Sequence, residues 1–366
     1  MNVLFITQVV DRADDNLGAV HGWISALAGE VDSVHVLALR TGQVELPRNV
    51  QLHSMGKDQG RGKLGQWRVL NSVAAGLCLR RQVDVFFPHM VPLYALLVAP
   101  YRAAFRVPTV MWYAHNSADL RLKSALPFVD RIASVSEDSF PVKTDRLRVV
   151  GHGVDTALFK PSGTDAGSRD DLVSFLSLGR ISPRKELDTL VSAAEILVNR
   201  WECRAVEFVV AGAPLATSDH EYLGQLKARV RDRGLEGYFR FTGGIPHSET
   251  ARVLRRSDFF VNMHVEGGLG KAVLEAMSCG LPAIVSTPTY YERFPEYAER
   301  FLFGPRDPEA LAVRMRSALR MTPPQRQAVG QELRDWVVEE HDVRRQMSRI
   351  VRVFHEARGG LPSSSR

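Results

Sequence analysis

The chain alternates short apolar runs with amphipathic stretches, and it does so twice. Residues 3–6 (Val-Leu-Phe-Ile) form an apolar run of the kind expected for a strand buried on both faces. A loop over 11–16 and then Gly18 lead into a helical pattern through Trp23, Leu27 and Ala28. Further strands are predicted at 34–39, 83–87, 109–113, 131–135 and 147–150. Residues 160–171, dense in turn formers and poor in apolar positions, read as a linker. The alternation then restarts, with strands at 173–178, 206–211, 239–242, 259–263 and 283–286 and helices at 186–200 and 223–233. Residues 324–357 are mostly helical in pattern, and 359–366 have no means of forming a core. Strands alternating with helices predict an α/β fold with parallel sheets covered on both faces. The expected division is a first domain over 1–160, a second over 161–340, and a final helix and tail over 341–366.

A length of 366 residues suits two domains, each with its own core. Apolar content of 45% and charged content of 24% are ordinary for a globular protein. The net charge of +6 suits an anionic partner such as a sugar nucleotide, a polyprenyl phosphate or an acidic membrane face. No nucleic-acid-binding module is recognisable. Cys78, Cys203 and Cys279 are widely spaced and form no C-x-x-C pair, which argues against a disulfide framework or zinc site and for a reducing cytoplasm. The first residues lack a basic leader and meet Asp11 and Arg12 too soon for a secretory signal. The uncharged run 85–101 contains Pro88, Pro92 and Pro100 and is too short to span a bilayer comfortably.

Chemistry concentrates in Glu266-Gly-Gly-Leu-Gly-Lys-Ala-Val-Leu-Glu275-Ala-Met-Ser-Cys-Gly280-Leu-Pro282. This reads as a glycine-rich turn opening into a short helix that Gly280 and Pro282 stop. Gly268 and Gly270 let the backbone approach a ligand, and the N–H groups of the helix start attract phosphate. Glu275 lies about 7.5 Å further along the axis, where a carboxylate can accept ribose hydroxyls. A capped helix with a buried, satisfied Glu fits the same pattern. A second block, Ser177-Leu-Gly179-Arg180-Ile-Ser-Pro-Arg-Lys185, follows a strand and offers a planar fork and a movable point charge to a diphosphate leaving group. Two solvated surface cations are the plainer reading.

These blocks resemble the donor-binding signature of family 4 glycosyltransferases, retaining enzymes of the GT-B architecture with two facing nucleotide-binding-like domains. Val149-Val-Gly-His152-Gly153-Val-Asp155-Thr-Ala-Leu-Phe159-Lys-Pro161 resembles the family's inter-domain block, where Gly153 is expected to relax the backbone and Phe159 and Pro161 to pin the crossing. His152 is expected to make a loop hydrogen bond. Tyr113-Ala-His115 resembles the family's strand end carrying a His that faces the donor sugar, and Ser134-Val-Ser136-Glu137 its Ser-Glu block. Gly18-Ala19 stands where the family has two glycines, near donor diphosphate and acceptor, with His21 and Trp23 as candidates to face the acceptor; Trp23 equally fits a helix-to-sheet core contact. The resemblance implies that Arg180 and Lys185 hold the diphosphate, that Lys271 and the turn before it supply donors, and that residues 342–357 cross back to the first domain. It implies no bound metal and no cofactor beyond the nucleoside-diphosphate sugar as co-substrate.

Two departures stand out. Glu186 replaces the Gly that usually follows the Lys, a change expected to cost nothing. Gly267 replaces a Glu that normally grips the transferred sugar, so donor choice is expected to differ, and Glu266 can supply the carboxylate if the loop is re-registered. The expected function is retaining transfer of a hexose or N-acetylhexosamine from UDP, or second of mannose from GDP, to a glycan, lipid-linked or small-metabolite acceptor. A nucleotide-sugar-binding protein without turnover and a sugar-nucleotide epimerase are the rivals. A nicotinamide oxidoreductase is disfavoured because residues 8–22 lack G-x-G-x-x-G. Lys57, Arg61, Lys63, Arg68, Arg80 and Arg81 flank an apolar stretch with Trp67 at its edge. That fits peripheral contact with anionic membrane or a solvated helix face over a buried stripe.

Overall fold

The computed structural model describes residues 1–15, 17–115, 118–161, 172–264 and 270–359. The linker stretch 162–171 and the tail 360–366 lie outside the described residues. The chain forms two compact units, Met1–Gly153 with the segment from Asp342 onward, and Val154–His341.

The first unit contains β1 Asn2–Val10, β2 Ser33–Thr41, β3 Val50–Ser54, β4 Val85–Pro88, β5 Val110–Trp112, β6 Arg131–Ser134 and β7 Leu147–Val149. They form two parallel sheets, β3-β2-β1-β4 and β5-β6-β7, with bridges Phe86–Thr109 and His89–Trp112 between β4 and β5. β1 is central because Val3, Leu4, Phe5 and Ile6 are all buried, as a strand flanked on both sides requires. β3 was not among the expected strands: as an edge strand it carries Gln51, His53 and Ser54 and shows no apolar run. The uncharged stretch resolves into β4 and a helix, Pro92–Phe105, which Pro92 opens and in which Pro100 removes one hydrogen bond. The helix Lys63–Leu79 buries Leu70, Ala74, Leu77 and Cys78 and leaves Leu64, Trp67 and Leu79 exposed.

The last helix, Val343–Ala357, packs within this first unit, its Phe354 ring meeting Phe87 edge-on at 4.9 Å. Gln346 on the same helix donates to the Gly151 carbonyl at 2.5 Å. A Cβ on Gly153 would fall 2.2 Å from Gln346 Oε1. Close approach of the helix, rather than a relaxed backbone, is therefore the reason for glycine at 153. Trp23 makes the core contact: it is buried, meets Trp112 edge-on at 4.8 Å and donates to the Gly153 carbonyl at 3.3 Å.

The second unit contains β8 Val173–Leu178, β9 Val206–Ala211, β10 Phe239–Gly243, β11 Phe259–Asn262 and β12 Ala283–Val285. All pair in parallel in the order β10-β9-β8-β11-β12. Successive strands step outward from β8 to β10, and the chain then returns to place β11 on β8's other side. That reversal makes the carboxyl ends of β8 and β11 the place where an open α/β sheet binds ligands. Two expected helices shift. The α-helix after β8 spans Leu187–Glu195 and continues as a π turn, Ile196–Arg200, and the next begins at Thr217. His247–Arg255, a further helix, was not anticipated. Among the described residues no helix is long and apolar enough to cross a membrane.

Candidate functional site

At the carboxyl edge of the second sheet three strands end on glycines with positive φ: Gly179 after β8, Gly212 after β9 and Gly243 closing β10. Gly212 N–H donates to the Gly243 carbonyl at 2.9 Å, and Gly179 N–H to that of Ala211 at 2.9 Å. A Cβ on Gly212 would lie 2.0 Å from the Gly179 carbonyl oxygen, so no side chain fits between these turns. A Cβ on Gly179 would stand 3.0 Å from Lys185 Nζ. Bare backbone thus lets the lysine lie across the strand end.

Arg180 and Lys185 are brought together here. Burial pushes the Lys185 ammonium below its ordinary pKa, and the neighbouring Arg180 guanidinium pushes it the same way. Arg180 Nε is 3.9 Å from Asp219 Oδ2, too far for a tight pair. Asp219 already accepts N–H bonds from Ala216 at 3.1 Å and Leu215 at 3.3 Å, which hold its carboxyl below the usual range. Two cations that repel each other at a glycine-lined strand end form a site that an anion would relieve. The turn carrying Lys185, Pro183–Lys185, is tied to the end of β11, because His264 Nδ1 donates to the Arg184 carbonyl at 2.8 Å.

The departure at Glu186 has a cost after all. Glu186 has φ +50°, in the left-handed region where a side chain is strained by about 1–2 kcal/mol. Its carboxylate is held by Arg306 at 2.8 Å. Because Glu186→Gly and Glu186→Ala both lose that ion pair, their difference isolates the backbone: the glycine variant should be more stable by about 1 kcal/mol in urea unfolding. Equal stability would remove the strain argument.

Beyond β11, Glu266, Gly267 and Gly268 lie outside the described residues. The helix that follows is Lys271–Ser278, and Gly270 at its start donates its N–H to the buried Tyr290 hydroxyl. That donor is engaged, which leaves Lys271 and Ala272 to supply the helix-start N–H groups. Glu275 is almost fully buried and faces Lys271 Nζ at 3.2 Å, one turn earlier, and His247 Nε2 at 3.0 Å. Burial raises its pKa, but Lys271 and His247 together outweigh burial and hold it below the ordinary carboxylate value. The helix is anchored at its far end: Arg334 donates to the Ser278 carbonyl and, at 2.9 Å, to that of Phe159. A Cβ on Gly330 would fall 1.9 Å from the Gly280 carbonyl oxygen, so the two helices meet backbone to backbone.

His247 escaped sequence reasoning. The signal was the one that singled out His115: a histidine just past the carboxyl end of a parallel strand, here β10, opening a helix after Pro246.

The first-unit candidates occupy the carboxyl edge of their own sheet. Gly18 precedes the helix Ala19–Ala28 and donates its N–H to the Asp14 carbonyl at 3.1 Å. His21 Nε2 accepts the Glu45 N–H at 3.1 Å, and burial, then Arg12, lower its pKa. His115 is exposed after β5, its ring 6.5 Å from that of Tyr113. Ser136 precedes a single 3-10 turn, Glu137–Ser139, rather than an α-helix.

Comparison with known proteins bears on these blocks. Residues 164–336 match the family model described as glycosyl transferases group 1. The mannosylfructose-phosphate synthase of Agrobacterium fabrum is 30% identical over 141 residues, covering 38% of this chain and 31% of that protein. The alpha-monoglucosyldiacylglycerol synthase of Streptococcus pneumoniae is 31% identical over 162 residues, 41% of this chain and 34% of its own. The chain thus spans about a third of the length of these curated relatives. Among solved structures, Anabaena HepE in complex with UDP and glucose superposes with a TM-score of 0.76 at 18% identity, covering 97% of this chain and 100% of that one. Sucrose-phosphate synthase from Thermosynechococcus elongatus gives 0.73 at 18%, with 97% and 100% covered. At such identity the likeness is one of fold. The fold class is α/β of the GT-B kind.

Proposed function

We propose that this chain is a retaining glycosyltransferase that takes a sugar from a nucleoside diphosphate. The observation that carries the reading is that two mutually repelling cations, Arg180 and Lys185, follow β8 while the helix bearing the oriented carboxylate Glu275 follows the neighbouring strand β11. The cations suit a diphosphate and the carboxylate suits ribose hydroxyls, with Gly268, Gly270, Lys271 and Glu266 assigned to the same donor and Gly18 to its diphosphate side. The match to group 1 glycosyl transferases and the UDP and glucose held by HepE favour this chemistry. A departing diphosphate can itself take the acceptor's proton. The chain's work is then to bind the diphosphate, position the sugar with His115 and shield an oxocarbenium-like transition state.

UDP-hexose or UDP-N-acetylhexosamine is the first donor assigned and GDP-mannose the second, with a glycan, lipid-linked or small-metabolite acceptor. The second unit serves the donor and the first the acceptor. A thermal-shift screen of UDP-, GDP-, ADP- and dTDP-sugars followed by assays of diphosphate release tests this, since a bound donor raises apparent stability by mass action. Binding without release on any acceptor would favour a nucleotide-sugar-binding protein; no binding would end the proposal. Leu64 and Trp67, exposed beside Lys63 and Arg68, favour peripheral contact with anionic membrane. Cosedimentation should occur with phosphatidylglycerol vesicles and fall with Trp67→Ala, whereas equal recovery with neutral vesicles would contradict it.

A further inference from the structure

We infer that His247 is a positioning residue that fixes the Glu275 carboxylate for a nucleotide ribose, an inference that rests on the donor reading of Glu275 above. His247 Nε2 lies 3.0 Å from Glu275 Oε1, Lys271 Nζ lies 3.2 Å from the same oxygen, and the two nitrogens are 3.5 Å apart. The carboxylate oxygen at 3.0 Å can only accept, so Nε2 carries a hydrogen and gives it to Oε1, and the Lys271 ammonium, itself only a donor, makes no hydrogen bond to that nitrogen at 3.5 Å. Both donors therefore fall on one oxygen. Among the described residues no group donates to Oε2, which is left to accept from a ligand.

The two donors are not equivalent. Lys271 reaches Glu275 along a four-carbon stem from the same helix and is itself a quarter exposed. His247 comes from a different helix, on a ring held edge-on against the fully buried Phe159, centroids 5.4 Å apart. Phe159 is fixed in turn: its carbonyl accepts from Ser278 at 2.5 Å and Arg334 at 2.9 Å. A stiff ring on a pinned base supplies direction that a flexible ammonium does not, and a buried carboxylate with a locked rotamer loses little entropy on binding.

The test is calorimetric titration of UDP and 2′,3′-dideoxy-UDP, with GDP and its dideoxy analogue in parallel, into wild type, His247→Phe, His247→Gln and Glu275→Ala. His247→Phe keeps the ring and removes the donor; UDP should bind about tenfold more weakly, the scale of one hydrogen bond to a charged group. His247→Gln retains an N–H and should restore most of the affinity, which a packing role for the imidazole would not do. The dideoxy analogue lacks the hydroxyls and should bind wild type and His247→Phe alike. Should His247→Phe fail to fold, His247→Leu carries the same comparison. Unchanged UDP affinity, or an equal loss for the dideoxy analogue, overturns the positioning role. Glu275→Ala separates the two layers: if it binds UDP like wild type, the ribose assignment itself falls. If it weakens UDP alone while His247→Phe changes nothing, only the inference about His247 falls. If neither UDP nor GDP binds wild type, both fall.

Discussion

Replacing Lys185 with alanine should lower turnover on the order of 10²-fold, the scale for removing one donor aimed at developing negative charge. The same substitution should not reduce stability. The ammonium is crowded by burial and by Arg180, both of which lower its pKa. The folded state therefore binds that proton less tightly than the unfolded one, and the burden is present at every pH below the lowered value and relieved as pH rises through it. Steady-state release of nucleoside diphosphate and a thermal midpoint on the same preparation check both halves. Lost turnover with a midpoint at or above wild type agrees with the account. Unchanged turnover refutes the role of Lys185, and parallel loss of both reduces it to packing.

Glu275→Ala should weaken nucleotide binding by roughly 10²- to 10⁴-fold if the carboxylate accepts two ribose hydroxyls, at about 1.5–3 kcal/mol for each hydrogen bond to a charged group. The stability cost should stay below the roughly 3–5 kcal/mol of breaking a fully buried pair, because Lys271 is partly exposed and can turn to solvent. Acid behaviour follows from the lowered pKa of Glu275. With the folded value below the ordinary 4.5, the stabilisation is fully present above 4.5 and disappears as pH falls through the folded value. Titration of Glu275 therefore leaves binding level between pH 6 and 8, and calorimetry across that range checks it. A mutant that binds as wild type would reject the ribose role.

How much of this was legible from the chain depends on how local each cause is. β8 and β9 lie within the predicted limits because each is mostly apolar, interrupted only by Ser174 and Ser177 or by Glu207, and is followed by glycine, a signal contained in its own residues. Arg180 and Lys185 follow β8 within a few residues, so their neighbourhood was legible too. The helix after them was placed one residue early because Glu186 adopts a glycine-like conformation that its identity does not announce. The helix His247–Arg255 is rich in Arg and polar residues and buries only Thr250, Ala251 and Leu254, too narrow a stripe to register. Its contact with Glu275 joins positions 28 apart on separate elements, and only packing creates it. Likewise the Gly270–Tyr290 hydrogen bond, which occupies a backbone donor otherwise assigned to phosphate, arises from a turn 20 residues downstream.

Diffraction from the chain crystallised with UDP-glucose tests the central claim most directly. The account predicts diphosphate oxygens within about 3.2 Å of Arg180 and Lys185 nitrogens and ribose hydroxyls on Glu275 Oε2. Nucleotide density elsewhere, or density at this edge with both cations turned away from the phosphates, would contradict it.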